Sequence, residues 1–139
     1  MAGALEDVSK ALFTKFATLN KTYVAYPNGP TINAPAGQTV YELHIKYSDG
    51  TPTAVGPDAT NRYYGFLQVN VLSPADGLGD SRAKSEAQEV VTLFKRGTTC
   101  VKNGINVRCK TPDITTLKTA NPAWYCLVVT VPWWADIPN

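Results

Sequence analysis

One histidine, three cysteines and one spaced pair of glutamates are the residues of this chain whose types could do chemistry. His44 could serve a serine or cysteine nucleophile as a general base, but such a site needs converging partners, and no nucleophile stands near it in sequence. It alternates with Tyr41, Leu43, Ile45 and Tyr47, which places it on the solvated face of a strand. Cys100, Cys109 and Cys126 have eight and sixteen residues between them. No short clamp for zinc is present, and a fourth ligand would be needed. Glu86 and Glu89 fall on one side of a helix, where a solvated pair is expected. Gly77-Leu78-Gly79 is a fragment of an anion-binding turn, without the fuller glycine pattern that cradles phosphate. These residues indicate no catalytic centre, metal site or cofactor.

The aromatic residues suggest binding instead. Tyr63, Tyr64 and Phe66 follow Arg62 and could stack on bases. Basic residues are not interleaved with them, which favours cross-strand packing. Trp133 and Trp134 point to opposite faces of any extended segment, so one can enter a core while the other meets a partner.

The elements that position these residues follow from periodicity. Leu5, Val8, Leu12, Phe16 and Leu19 recur at helical spacing, so residues 4–20 are expected to form an amphipathic helix. Thr22–Tyr26 and Gln38–Tyr47 read as strands, separated by a polar, proline-bearing loop. A second long loop, residues 48–61, precedes the central strand at Arg62–Leu72. There Leu67, Val69 and Val71 share a face opposite Gln68 and Asn70. Ser73–Gly79 should turn the chain into a helix over Asp80–Arg96, with Ala83, Ala87, Val90, Val91 and Phe94 on one stripe. Asp80 or Ser81 can cap it, and Gly97 can end it. Asn103-Gly104 predicts a tight hairpin that sets Cys100 opposite Val107, with the two cysteines on a diagonal. Residues 111–122 read as an irregular link, Trp124–Val131 as an interior strand, and Pro132–Asn139 as a tail. The expected fold is α+β: a mostly antiparallel sheet of about six strands with two helices packed on one face.

At 139 residues, one domain over 1–139 is expected. A net charge of +2 is too small to argue for nucleic acid. The charge is unevenly spread: residues 1–92 carry 7 basic and 9 acidic side chains, while residues 93–139 carry 6 and 2. Opposite-sign faces could therefore meet between neighbouring copies. An odd cysteine count favours buried free thiols over a secreted disulfide scaffold. No signal sequence or membrane-spanning run is recognisable, so a protein made in a reducing compartment is expected.

Arg62-x-x-Gly65-x-x-Gln68-Val69-x-Val71, Ser73-Pro74-x-x-Gly77-x-Gly79, and a helix ending in Phe94-x-x-Gly97 form a pattern. With the first helix, Pro35-Ala36-Gly37, the hairpin and Trp124–Pro132, it resembles the tail terminator-like proteins of long-tailed bacteriophages. The resemblance implies a non-enzymatic virion protein assembled in the host cytoplasm as a homo-hexameric ring. Such a ring caps the head-proximal end of the tail tube, ends polymerisation of the major tail tube protein, and docks the head-tail connector or neck protein. DNA would pass through its lumen without specific binding. The candidate interface residues are Asn28, Asp49 and Asp58 in the loops, Arg62 on the central strand, Lys95 and Arg96 after the second helix, and Trp133 and Trp134. Another neck or tail-tube protein is the nearest alternative, and a single-stranded nucleic-acid-binding domain a more distant one.

Overall fold

The computed structural model describes residues 4–27, 29, 35, 37–48, 51–52, 56, 60–74, 81–117 and 124–138. Helix α1 (Ala4–Ala17) forms where the apolar spacing requires it. Val8, Ala11, Leu12 and Phe16 are buried, and Glu6 and Asp7 occupy the first turn, at the positive end of the helix dipole. The strands are β1 (Val24–Ala25), β2 (Val40–Tyr47), β3 (Thr51–Pro52) and β4 (Thr60–Pro74). Helix α2 (Ser81–Leu93) follows, then β5 (Thr99–Lys102), β6 (Ile105–Cys109), β7 (Asp113–Leu117) and β8 (Trp124–Pro138).

The sheet runs β1-β2-β4-β8-β6-β5, with β3 beside β4 and β7 beside β8. It is a mixed sheet of eight strands, where about six strands and no parallel pair were expected. β1 lies parallel to β2, and the other pairs run antiparallel. Residues 26–39 separate β1 from β2, enough chain for a crossover where a hairpin would have reversed it. β3 is two residues long and includes a proline. In β7, Asp113 to Thr116 are all exposed, so no alternation marks either segment as a strand.

The larger correction concerns the C-terminal segment. β8 does not stop at Val131; it continues to Pro138 and pairs with β4 along its whole length, from Thr60↔Pro138 to Pro74↔Trp124. Pro132 is tolerated for a local reason. Its carbonyl accepts from Lys110 N at 2.7 Å, on the side away from β4. The nitrogen and carbonyl of one strand residue point the same way, so the missing N–H faces the gap where β7 gives way to β6.

One buried cluster collects residues from both helices and from the inner positions of the strands. It includes Leu67, Val69 and Val71 of β4 and Val129, Val131 and Trp133 of β8. A polar link ties α2 to β4 and β2. Glu86 accepts from Ser73 Oγ at 2.9 Å and from Tyr41 OH at 3.3 Å. Burial, with the carboxylate of Glu86 next to it, pushes the Tyr41 hydroxyl up, so it remains a donor. Glu86 is therefore not the solvated helix-surface residue expected, whereas exposed Glu89 pairs with Lys21 at 2.8 Å.

The expected hairpin forms, with Asn103 and Gly104 at φ 50° and 80°, and Gly97 adopts φ 89° beyond α2. Cys100 lies opposite Val107, and the three thiols are free and buried. Contact with Cys100, reinforced by burial, pushes the Cys109 thiol up and keeps it protonated. The glycine fragment at 77–79 and the cap position Asp80 lie outside the described residues.

Candidate interaction site

Strands β4 and β8 alternate, and their outward residues make the site. Gly65, Leu67, Val69 and Val71 turn inward on β4, leaving Arg62, Tyr64 and Phe66 on the open face. The register sets these beside Asp136, Trp134 and Pro132 of β8. β2 adds Lys46 opposite Phe66, and β6 adds Arg108 opposite Trp134. Lys110 arrives just beyond β6, fixed by its backbone bond to Pro132. Three strands thus bring cations to a group of aromatic rings.

Within this surface the contacts are specific. Arg62 Nε donates to Asp136 Oδ1 at 2.8 Å and its Nη2 to Oδ2 at 3.0 Å, a bidentate pair. The same guanidinium lies 4.1 Å from the centre of the Trp134 ring, with Arg108 5.2 Å away. Lys110 Nζ stands 5.0 Å from the Tyr64 ring. Hydrogen bonding to Arg62 holds the Asp136 carboxyl below the usual carboxylate range, with Arg108 adding to the effect. Phe66 is 49% exposed and Tyr64 40%. Beside them opens a pocket of about 450 Å³, lined in part by Lys46, Tyr64, Phe66, Lys110 and Pro132.

Gly65 leaves room on the inner face for the Trp133 indole. A Cβ on Gly65 would collide with the Lys46 carbonyl and come within 2.5 Å of Trp133 Cζ2. The Trp133 indole packs over Gly65, its partner across the strands. Tyr47 meets that indole edge-on at 5.6 Å. Trp133 Nε1 is buried and has no partner among the described residues.

The sequence candidates separate into groups. Arg62 and Trp134 belong to this surface. Trp133, the other half of the pair, is 1% exposed and belongs to the core. Lys95 and Arg96 are exposed beyond α2; Lys95 lines a groove of about 690 Å³ between the helices and is not part of the aromatic surface. Asn28, Asp49 and Asp58 lie outside the described residues. His44 is exposed opposite Gln68, two positions along β2 from Lys46. No cluster of three potential metal-binding side chains occurs among the described residues.

Lys46, Arg108 and Lys110 were missed because the sequence does not interleave them with the aromatics; the sheet does. The hairpin signal at Asn103-Gly104 predicts β5 and β6 but says nothing of which strand β6 joins.

The family model for phage tail terminator protein matches residues 7–133. The chain belongs to that family. It is therefore a structural component of a phage tail, in keeping with a site that offers rings and cations for binding. A solved chain in the virion of a native gene transfer agent particle matches with TM-score 0.61 and 15% identity, over 100% of both chains. A second solved chain, known by a sequence label alone, matches with TM-score 0.62 and 22% identity, over 93% of this chain and 94% of its own. At those identities the likeness is one of fold. A search of curated proteins finds no match. No described helix of this tail terminator family member is long and apolar enough to cross a membrane.

Proposed function

We propose that this single-domain chain works as a ring. Six copies close at the head-proximal end of the tail tube, stop addition of the major tail tube protein, and offer their outer surface to the head-tail connector or neck protein. DNA passes through the lumen without specific contacts, because phosphate contacts repeated by every subunit would retard it. The protein acts by assembly rather than catalysis, without a cofactor, and joins the virion from the host cytoplasm. The observation that carries this reading is the family match across residues 7–133. The paired fifteen-residue strands β4 and β8 supply the stiff body that such a ring requires.

The test combines native mass spectrometry with electron microscopy. A six-copy species, and purified tail tube protein that stops growing at capped ends when this chain is added, are the expected results. Tubes built from this chain itself would instead make it a tube subunit. Tubes that grow unchecked in its presence would overturn the capping role.

A further inference from the structure

The basic–aromatic surface carries enough chemistry to say what it binds. Phe66 and Tyr64 expose large apolar rings, and the adjoining pocket has room for a bulky side chain. Charge around them is mostly positive. Lys46, Arg62, Arg108 and Lys110 stand against Asp136, which Arg62 already engages, and Asp113 at the margin, opposite Thr130. Lys46 and Lys110 form no ion pair among the described residues, and both line the pocket.

Resting on the reading of the chain as a tail structural protein, we propose that this surface holds an acidic segment of another virion protein. An aromatic or branched side chain of that segment enters the pocket beside Phe66, and its flanking carboxylates meet Lys46 and Lys110. One feature favours this occupant over nucleic acid. The Trp134 and Tyr64 rings already carry Arg62 and Lys110, so a nucleic-acid base would have to displace both cations to stack.

The probe is a blocked peptide, Glu-Glu-Phe-Glu-Glu, titrated into ¹⁵N-labelled full-length protein. Its lysine counterpart, Lys-Lys-Phe-Lys-Lys, and an oligothymidylate serve as controls. Amide shifts are expected at Lys46, Tyr64, Phe66 and Lys110, with weaker binding as salt rises. The double variant Lys46→Glu with Lys110→Glu should bind the acidic peptide at least about tenfold more weakly and should gain affinity for the lysine peptide. An unchanged thermal midpoint shows that the variant is folded; the single variant Phe66→Ser, judged by the same shifts, covers the case in which it is not. Equal binding of both peptides, no shifts at millimolar peptide, preference for the oligonucleotide, or a two-copy species that protects these amides would each overturn the proposal. The tube-capping assay is scored separately. A chain that caps tubes but ignores the peptide fails here alone, and one that binds the peptide but leaves tubes uncapped fails only as a terminator.

Discussion

Trp133 and Trp134 are neighbours in the chain and opposites in the fold. Trp133 packs inward over Gly65 and is 1% exposed; Trp134 lies outward under Arg62, half-buried. The contrast extends along both long strands. On the inner face, Leu67, Val69, Val71, Val129 and Val131 are nearly free of solvent contact. On the outer face, Tyr64, Phe66 and the cations keep their charged or aromatic ends accessible. One pair of strands therefore serves two purposes. Its inner face sets stability and its outer face sets recognition, and changes on the two faces should be separable.

Val69→Asp should break that division most strongly. An unpaired carboxylate would sit where Val69 is 0% exposed, at a cost above about 4 kcal/mol, enough to leave the chain unfolded by circular dichroism. The tryptophans test the comparison directly. Trp133→Ala removes a fully buried ring and should cost about 3–5 kcal/mol in urea unfolding. Trp134→Ala loses a ring–cation contact and partial burial, about 1 kcal/mol, while weakening partner binding. Equal losses at the two positions would show that the outer face belongs to the stability core after all.

The inner face was legible in the sequence because burial imposes a period. Leu67-Val69-Val71 and the α1 and α2 stripes could be read without knowing any partner. Gly97, Asn103 and Gly104 were legible because backbone sterics restrict positive φ to few residue types. The outer face was not legible. Arg62, Lys46, Arg108 and Lys110 come from β4, β2 and the end of β6, and only strand order makes them neighbours. The extension of β8 was hidden for a related reason. Pro132 ends most ladders, and it survives here because the outer neighbour changes at that point. β7 carried no signal, since Asp113 to Thr116 are exposed on both faces.

Glu86 sharpens the comparison from the helical side, where a polar residue belongs to the stabilising region. Glu86→Ala would leave the hydroxyls of Ser73, which is 0% exposed, and Tyr41 without their acceptor. A loss of about 1–3 kcal/mol is expected in urea unfolding, with peptide binding at the outer face unchanged. Glu86→Gln keeps one acceptor oxygen and should lose less. If Glu86→Ala altered binding without altering stability, the two faces would be coupled through α2.

The smallest effect concerns Asp136, the carboxylate that pairs with Arg62 in the cationic surface. Hydrogen bonding to Arg62, with a further contribution from Arg108, holds its folded pKa below the ordinary value. A depressed carboxylate stabilises the folded state fully at pH values above the unfolded pKa, about 3.9 for aspartate, and loses that contribution as pH falls through the lower folded value. Asp136→Asn should therefore be less stable than the parent at neutral pH, and the difference should close as the pH falls through the lowered folded pKa. The gap should be small because the pair is open to solvent and screened by salt. Partner binding should move the other way. Removing the carboxylate that sits among these cations raises the local positive charge, so Asp136→Asn should bind the acidic peptide more tightly while folding less well. A variant that lost both stability and binding would mean that Arg62 depends on Asp136 to hold its place over Trp134, making the pair part of the recognition surface itself.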